Sequence, residues 1–266
     1  MSDPNVESFQ PPPYLPESEA PTGPVMSTVE TLSSIFFEPG LVFESLRARP
    51  RFLAAGLIIL AVSMTFTLLF FQRVGYDKVI SDAVENSSRA SQMSEEDKER
   101  AIELYHRPVF KAINYATPLI AIPLVFAIGS ALYLLGVMAM GRRISYTQAL
   151  SVWVYSSYPP GLLTGLLSIL VLFLKSPDDI EGSQLRSGMI HADLSLLVDA
   201  KASPVLASAL GSIDLLAFYG LFLAALGLRK VAKLSPGAAW GIVLTIWIVK
   251  VILRIIWAAA FGSAVG

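Results

Sequence analysis

From Phe52 to Phe71 the chain reads FLAAGLIILAVSMTFTLLFF, a run without a single charge. About 20 apolar residues at 1.5 Å each match the roughly 30 Å of a bilayer's hydrocarbon core. At that depth no water is present to satisfy backbone N–H and C=O groups, so such a run has to satisfy them itself, as a helix. Four more runs of this character follow, at about 113–140, 149–174, 205–228 and 238–262. Only 15% of residues are charged and 54% are hydrophobic, against about 25% charged in soluble domains. The fold class expected is all-α: a polytopic integral membrane protein of five transmembrane helices with a preceding interfacial amphipathic segment.

Composition also removes whole classes of function. A net charge of −1 offers no electrostatic footprint for nucleic acid. The absence of cysteine removes disulfides, thiolate metal sites and cysteine nucleophiles together. No nucleophile–base pair, metal-ligand spacing or phosphate loop is present, so no catalytic, cofactor-binding or metal residue is assigned and the chain does not read as an enzyme. Intramembrane aspartyl chemistry needs paired acids, whereas the spans hold one.

Three segments make up the chain. Residues 1–26 are rich in Pro, Glu and Ser and read as a disordered tail, polar and acidic at its start rather than a signal peptide. Within it Pro11-Pro12-Pro13-Tyr14 has the PPxY pattern that WW domains read in a eukaryotic cytosol. Residues 27–51 are the interfacial amphipathic segment. Ser27 and Glu30 have capping-box spacing, Glu38-Pro39-Gly40 breaks the first helix, and Arg47, Arg49 and Arg51 mark the membrane edge. Residues 52–266 are the five-span domain.

Inside that domain, the loop 72–112 is polar, and Ser94-Glu95-Glu96-Asp97 reads as the start of a charged helix. Pro118, Pro123, Gly129 and Gly136 should kink the second span and let neighbours approach closely. The third span contains Tyr155-Ser156-Ser157-Tyr158-Pro159-Pro160. Pro159 and Pro160 each remove a backbone donor and free the carbonyls of Tyr155 and Ser156, so a helix break is expected there. Gly161 and Gly165 form a GxxxG pair. In the loop 175–204, Asp178, Asp179, Glu181, Asp193 and Asp199 lack EF-hand spacing and read as a solvated face. His106 and His191 read as surface histidines.

Charge inside the last two runs is the strongest candidate for a site. Asp214 lies within the fourth, Lys250 and Arg254 within the fifth, the two bases four residues apart on one helical face. Asp214 falls about 14 Å below Val205, while Arg254 and Lys250 fall about 10 and 16 Å from Phe261. An isolated charge at bilayer depth costs about 2.5–3.5 kcal/mol or more, so a buried intramembrane ion pair is expected, structural or gating.

Basic residues crowd the short turns: Arg142, Arg143, Arg229, Lys230 and Lys233 occur there without an acid. This places the N-terminus and short turns in the cytoplasm and the C-terminus outside. A cell inner (plasma) membrane is the expected location, or an ER/Golgi membrane in a eukaryotic host.

The stretch Leu32-Ser33-Ser34-Ile35-Phe36-Phe37-Glu38-Pro39-Gly40-Leu41-Val42-Phe43 resembles the pre-membrane proline segment of the Yip family, the Ypt/Rab-interacting membrane proteins, in its bacterial branch. Ile144-Ser145-Tyr146-Thr147-Gln148-Ala149-Leu150 resembles that family's entry into the third span. Tyr155-Ser156-Ser157-Tyr158-Pro159 resembles its Gly-Tyr-Ser-x-x-Pro core, with Val154 in the glycine's place. The five-span layout agrees. The resemblance implies a non-catalytic membrane scaffold or adaptor that acts through protein partners in membrane organisation or trafficking. Homo- or hetero-oligomers with other membrane proteins are implied as well. Eukaryotic relatives bind prenylated Rab-type GTPases, but the Asp-Leu-Tyr-Gly-Pro signature is missing here, so a small GTPase is a partner only in a eukaryotic setting. The alternative is a small transporter or channel using Asp214, Lys250 and Arg254.

Overall fold

Ser27 caps the first helix as the sequence predicts. Its hydroxyl accepts the Glu30 N–H at 3.1 Å and the Glu30 carboxylate accepts the Ser27 N–H at 3.1 Å, which satisfies two of the donors a helix start leaves free. The computed structural model describes residues 26–85, 90, 93–190, 193–198 and 203–261. The tail before Met26, with Pro11–Tyr14, lies outside the described residues, as do His191 and Asp199.

Helix α1 (Thr28–Ser34) and helix α2 (Pro39–Ala48) follow, with Pro39 at the first turn of α2, where a missing N–H costs nothing. One apolar face of the pair is covered by protein, while Val29, Phe37 and Leu41 are exposed. Ile35, Val42 and Phe43 have no exposed surface, and Leu46 has almost none. α2 packs on the ends of α7 and α10.

Four helices among the described residues are long and apolar enough to cross a membrane. They are α3 (Leu53–Val74), α6 (Pro108–Ala139), α7 (Tyr146–Leu174) and α11 (Pro236–Phe261). Between α3 and α6 lie α4 (Tyr76–Glu85) and α5 (Glu95–His106). Ser94 caps α5 as expected, accepting the Asp97 N–H at 3.2 Å. Helix α4 was not expected within a polar loop. It buries Tyr76, Val79, Ile80 and Val84, which recur at helical spacing.

The region expected as one span at 205–228 is divided. Helix α9 (Pro204–Leu210) ends at Gly211, and α10 (Leu215–Val231) begins after a turn. The short α8 (Gln184–Ser187) and two 3-10 turns lie in the preceding connection. No strand occurs among the described residues, only an isolated antiparallel bridge between Asp193 and Asp214.

Helix α7 is the centre of the bundle and packs against α3, α6 and α10; α10 also meets α2 and α11. Two apolar clusters result, one at each end. The larger gathers α2, the start of α7, the end of α10 and the start of α11 around Phe43, Val152, Tyr155, Leu223 and Leu228. The smaller joins the end of α3, α4 and the far end of α7 through Phe70, Phe71, Val79, Leu172 and Ile180. At the larger one, Gly227 permits a contact that no other residue allows. A Cβ there would stand 2.8 Å from both the Phe43 ring and Val152. Gly129 does the same for the Trp153 indole, which lies 2.2 Å from where its Cβ would be.

Candidate functional site

Helix α7 carries the first of the sequence-predicted sites. Tyr155, Ser156, Pro159 and Pro160 do not interrupt it: the helix is continuous from Tyr146 to Leu174. The expected break is therefore absent as a change of secondary structure. Ser156 Oγ turns back to donate to the Trp153 carbonyl at 2.9 Å. Helix α10 approaches the freed carbonyl of Ser156 through Gly220, whose hypothetical Cβ would lie 3.5 Å from that oxygen and from Pro160. A glycine Cα–H is a weak donor, and its small size lets the backbone cover the carbonyl. Tyr155 is fully buried, its hydroxyl without a hydrogen bond among the described residues, and its ring meets Tyr158 at 6.4 Å. Phe36, from the turn between α1 and α2, closes this site with its ring edge-on to Tyr158 at 5.8 Å. The arrangement is a packed aromatic core.

The second site differs more from expectation. Asp214 is not inside a helix; it is the N-cap of α10, with Oδ1 accepting the Ala217 N–H at 2.9 Å. The sequence carried the signal for this. Gly211 reads as a helix stop and Asp214 stands directly before an apolar periodic run, the usual place for a capping acid. Helix α10 runs back toward the basic end, so Asp214 lies about 25 Å from Val231. Lys250 and Arg254 lie about 21 and 27 Å along α11 from Pro236, so the three charges do share one level of the bundle.

Sharing a level does not make them an ion pair. No carboxylate lies within 4.0 Å of Lys250 or Arg254 among the described residues. Arg254 reaches the turn instead and donates to the Gly211 carbonyl at 3.3 Å, at the end of α9 where helix carbonyls favour a cation. Its Nε is buried without a partner among the described residues, and Asp193 is the acid that acts on it. Lys250 is exposed on the surface of α11. The acid that sequence reasoning assigned to the bases is occupied by its own helix end.

The remaining polar residues that are described stand mainly at the surface. His106 is half-exposed, its Nδ1 3.7 Å from Asp77 and its ring edge-on to Tyr76. Asp178, Asp179 and Glu181 are exposed. No group of three or more His, Cys, Asp or Glu that could hold a metal occurs among the described residues.

Long apolar helices packed around α7, with charges confined to their ends and to one level near the far side, define an all-helical membrane-embedded protein. The Yip1 domain family model matches residues 33–258, and the chain belongs to that family. That stretch takes in the pre-membrane segment, the α7 core and both bases of α11. No curated protein and no solved structure matches the chain.

Proposed function

We propose that this Yip-type membrane protein is a non-catalytic scaffold or adaptor that works by associating with other membrane proteins. One observation carries the reading: Lys250 stands on the outside of α11, within a long apolar helix, with no carboxylate within 4.0 Å among the described residues. A cation in that position is costly against lipid and is relieved by a neighbouring span that offers an acid or a polar acceptor. Membership of the Yip1 family supports a role without catalysis.

In this reading the chain makes five crossings, with the α9 turn and α10 as a broken fourth. α10 is about 25 Å long, and the α9 turn extends it toward the far side. The N-terminus and basic turns are cytoplasmic, the C-terminus is outside, and the host membrane is the cell inner membrane. Partners act in membrane organisation or trafficking; a small GTPase is among them only in a eukaryotic cytosol. The test is copurification from native membranes in mild detergent, with crosslinking from a photoreactive residue at position 249 or 253. A homo-oligomer or a stoichiometric membrane partner, lost in Lys250→Leu, is expected. A monomer without crosslinked product overturns the reading.

A small transporter or channel is the second reading, favoured by the charges that share one level of the bundle. It expects ion flux in proteoliposomes that Arg254→Gln abolishes, and absence of flux under every imposed gradient removes it.

A further inference from the structure

The basic end of the bundle holds a cleft of about 390 Å³ that none of the readings above uses. It is lined by Arg47 of α2, by Gly141-Arg142-Arg143-Ile144 and Gln148 where α6 turns into α7, and by Val231-Ala232-Lys233 after α10. Four of these residues are cations and none is an acid. No ion pair joins any of the four to a carboxylate among the described residues. The nearby acid Glu44 is engaged by Lys230.

Like charges drawn from three separate segments repel across one cleft, and a fold that gathers them without an acid leaves that repulsion to be relieved by a bound anion. Basic residues after a helix also complement its carbonyl end. That effect requires no concavity and no particular backbone, and this site has both. Lys233 has φ of 51°, the only positive φ at a described non-glycine residue. It occupies the position after the end of α10 where glycine usually relieves the left-handed conformation. A lysine kept in a strained position, its side chain at the cleft, points to use of the side chain. The frame around it is fixed: Gln148 Nε2 donates to the Arg47 carbonyl at 2.8 Å, while Gln148 Oε1 accepts the Ser145 N–H at 2.9 Å.

We infer that this cleft binds a phosphate group, and its place beside the ends of the long helices makes an anionic lipid headgroup the source. Arginine guanidinium groups present paired donors that match phosphate oxygens, and basic pockets between membrane helices take acidic headgroups in this way. Arg142, Arg143 and Lys233 are exposed and can close on a phosphate from the rim, with Arg47 at the α2 wall.

The test uses the full chain in neutral detergent, with the thermal midpoint followed against phosphatidylglycerol, phosphatidylcholine and inorganic phosphate. Phosphatidylglycerol is expected to raise the midpoint, less so at high salt, and phosphatidylcholine to leave it unchanged. A further rise with inorganic phosphate sustains the phosphate chemistry, and a rise with inorganic phosphate alone assigns a soluble anion in place of the lipid. The double variant R142Q/R143Q should raise the phosphatidylglycerol concentration needed for a given midpoint shift about 25-fold, about fivefold per cation, and K98Q/R100Q should leave it unchanged. Lys233→Gly supplies a second variant: its ligand-free midpoint should rise as the strain is released, and it should need about fivefold more phosphatidylglycerol for the same further shift. Equal responses to both lipids, no response to any of the three, or an unchanged response in R142Q/R143Q and Lys233→Gly, overturns the proposal.

Discussion

The two ends of the bundle are held by different physics. At the basic end the contacts are apolar and close: Phe43 and Val152 meet across Gly227, Trp153 lies on Gly129, and Tyr155, Leu223 and Leu228 have no exposed surface. At the far end a smaller apolar cluster around Phe70, Phe71, Leu172 and Ile180 is supplemented by side chains that bond to backbone. Arg73 donates to the carbonyls of Phe173 and Lys175, both at 3.1 Å, and so closes the end of α7. Lys78 donates to the carbonyls of Pro177 and Asp178 at 3.0 and 3.1 Å, and Asp82 accepts the Gly182 N–H at 2.7 Å. Tyr76 stacks on Tyr115 at 6.0 Å, donates to the Tyr105 carbonyl and accepts from Asn114. The difference teaches that the pre-membrane segment is a structural part of one end, whereas the far end adds to its smaller apolar cluster a connection clipped to helix termini by hydrogen bonds. Apolar packing tolerates no change of volume, while single hydrogen bonds are each worth only about 0.5–1.5 kcal/mol.

That contrast can be broken by substitution. The largest effect is expected from Phe43→Ala, which empties a fully buried site shared by α2, α7 and α10 and should cost about 3–5 kcal/mol, read as loss of the folded fraction in detergent. A small loss there would show that α2 rests on the bundle without supporting it. Gly129→Ala comes next. Its new methyl meets the Trp153 ring, so a loss of about 1–3 kcal/mol is expected in the thermal midpoint. An unchanged midpoint would mean the α6–α7 contact gives way freely. At the far end Tyr76→Phe keeps the ring stack and removes the hydroxyl that links Asn114 to Tyr105, for about 1 kcal/mol. A loss as large as that of Phe43→Ala would erase the distinction between the ends. Smallest is the pair at Asp214: Asp214→Ala should lose about 1 kcal/mol with the helix cap, and Asp214→Asn, itself a good cap, almost nothing. If Asp214→Asn proved as harmful as Phe43→Ala, Asp214 would be neutralising a base after all.

Several features were legible because their causes are local. The capping box at Ser27–Glu30 involves residues three apart, so spacing alone reveals it, and the structure adds a second at Ser145–Gln148. The run from Leu53 to Val74 is helical because an uncharged stretch at bilayer depth has no other way to satisfy its backbone. Gly129 and Gly136 announced close approach, although only packing could name Trp153 and Ile242 as the residues that approach. By contrast, Pro159 and Pro160 announced a break in α7 that did not occur, since Gly220 from a distant part of the chain covers the carbonyl that Pro160 leaves free.

The ion pair was misread because depth along a helix and distance between side chains are separate quantities. Counting residues placed Asp214 level with Lys250 and Arg254, and the count survives. It carries no information about rotation around each axis or about where α9 gives way to α10. The amino-acid order by itself therefore determined most of the long apolar helices and which turns are basic, because backbone hydrogen bonding and hydrophobic patterning act within a few residues. Only the tertiary structure decided that Arg254 serves the Gly211 carbonyl, that Lys250 faces outward and that Arg47 joins Arg142, Arg143 and Lys233 in one cleft. Those outcomes depend on the packing of segments far apart in the chain, which no local spacing encodes.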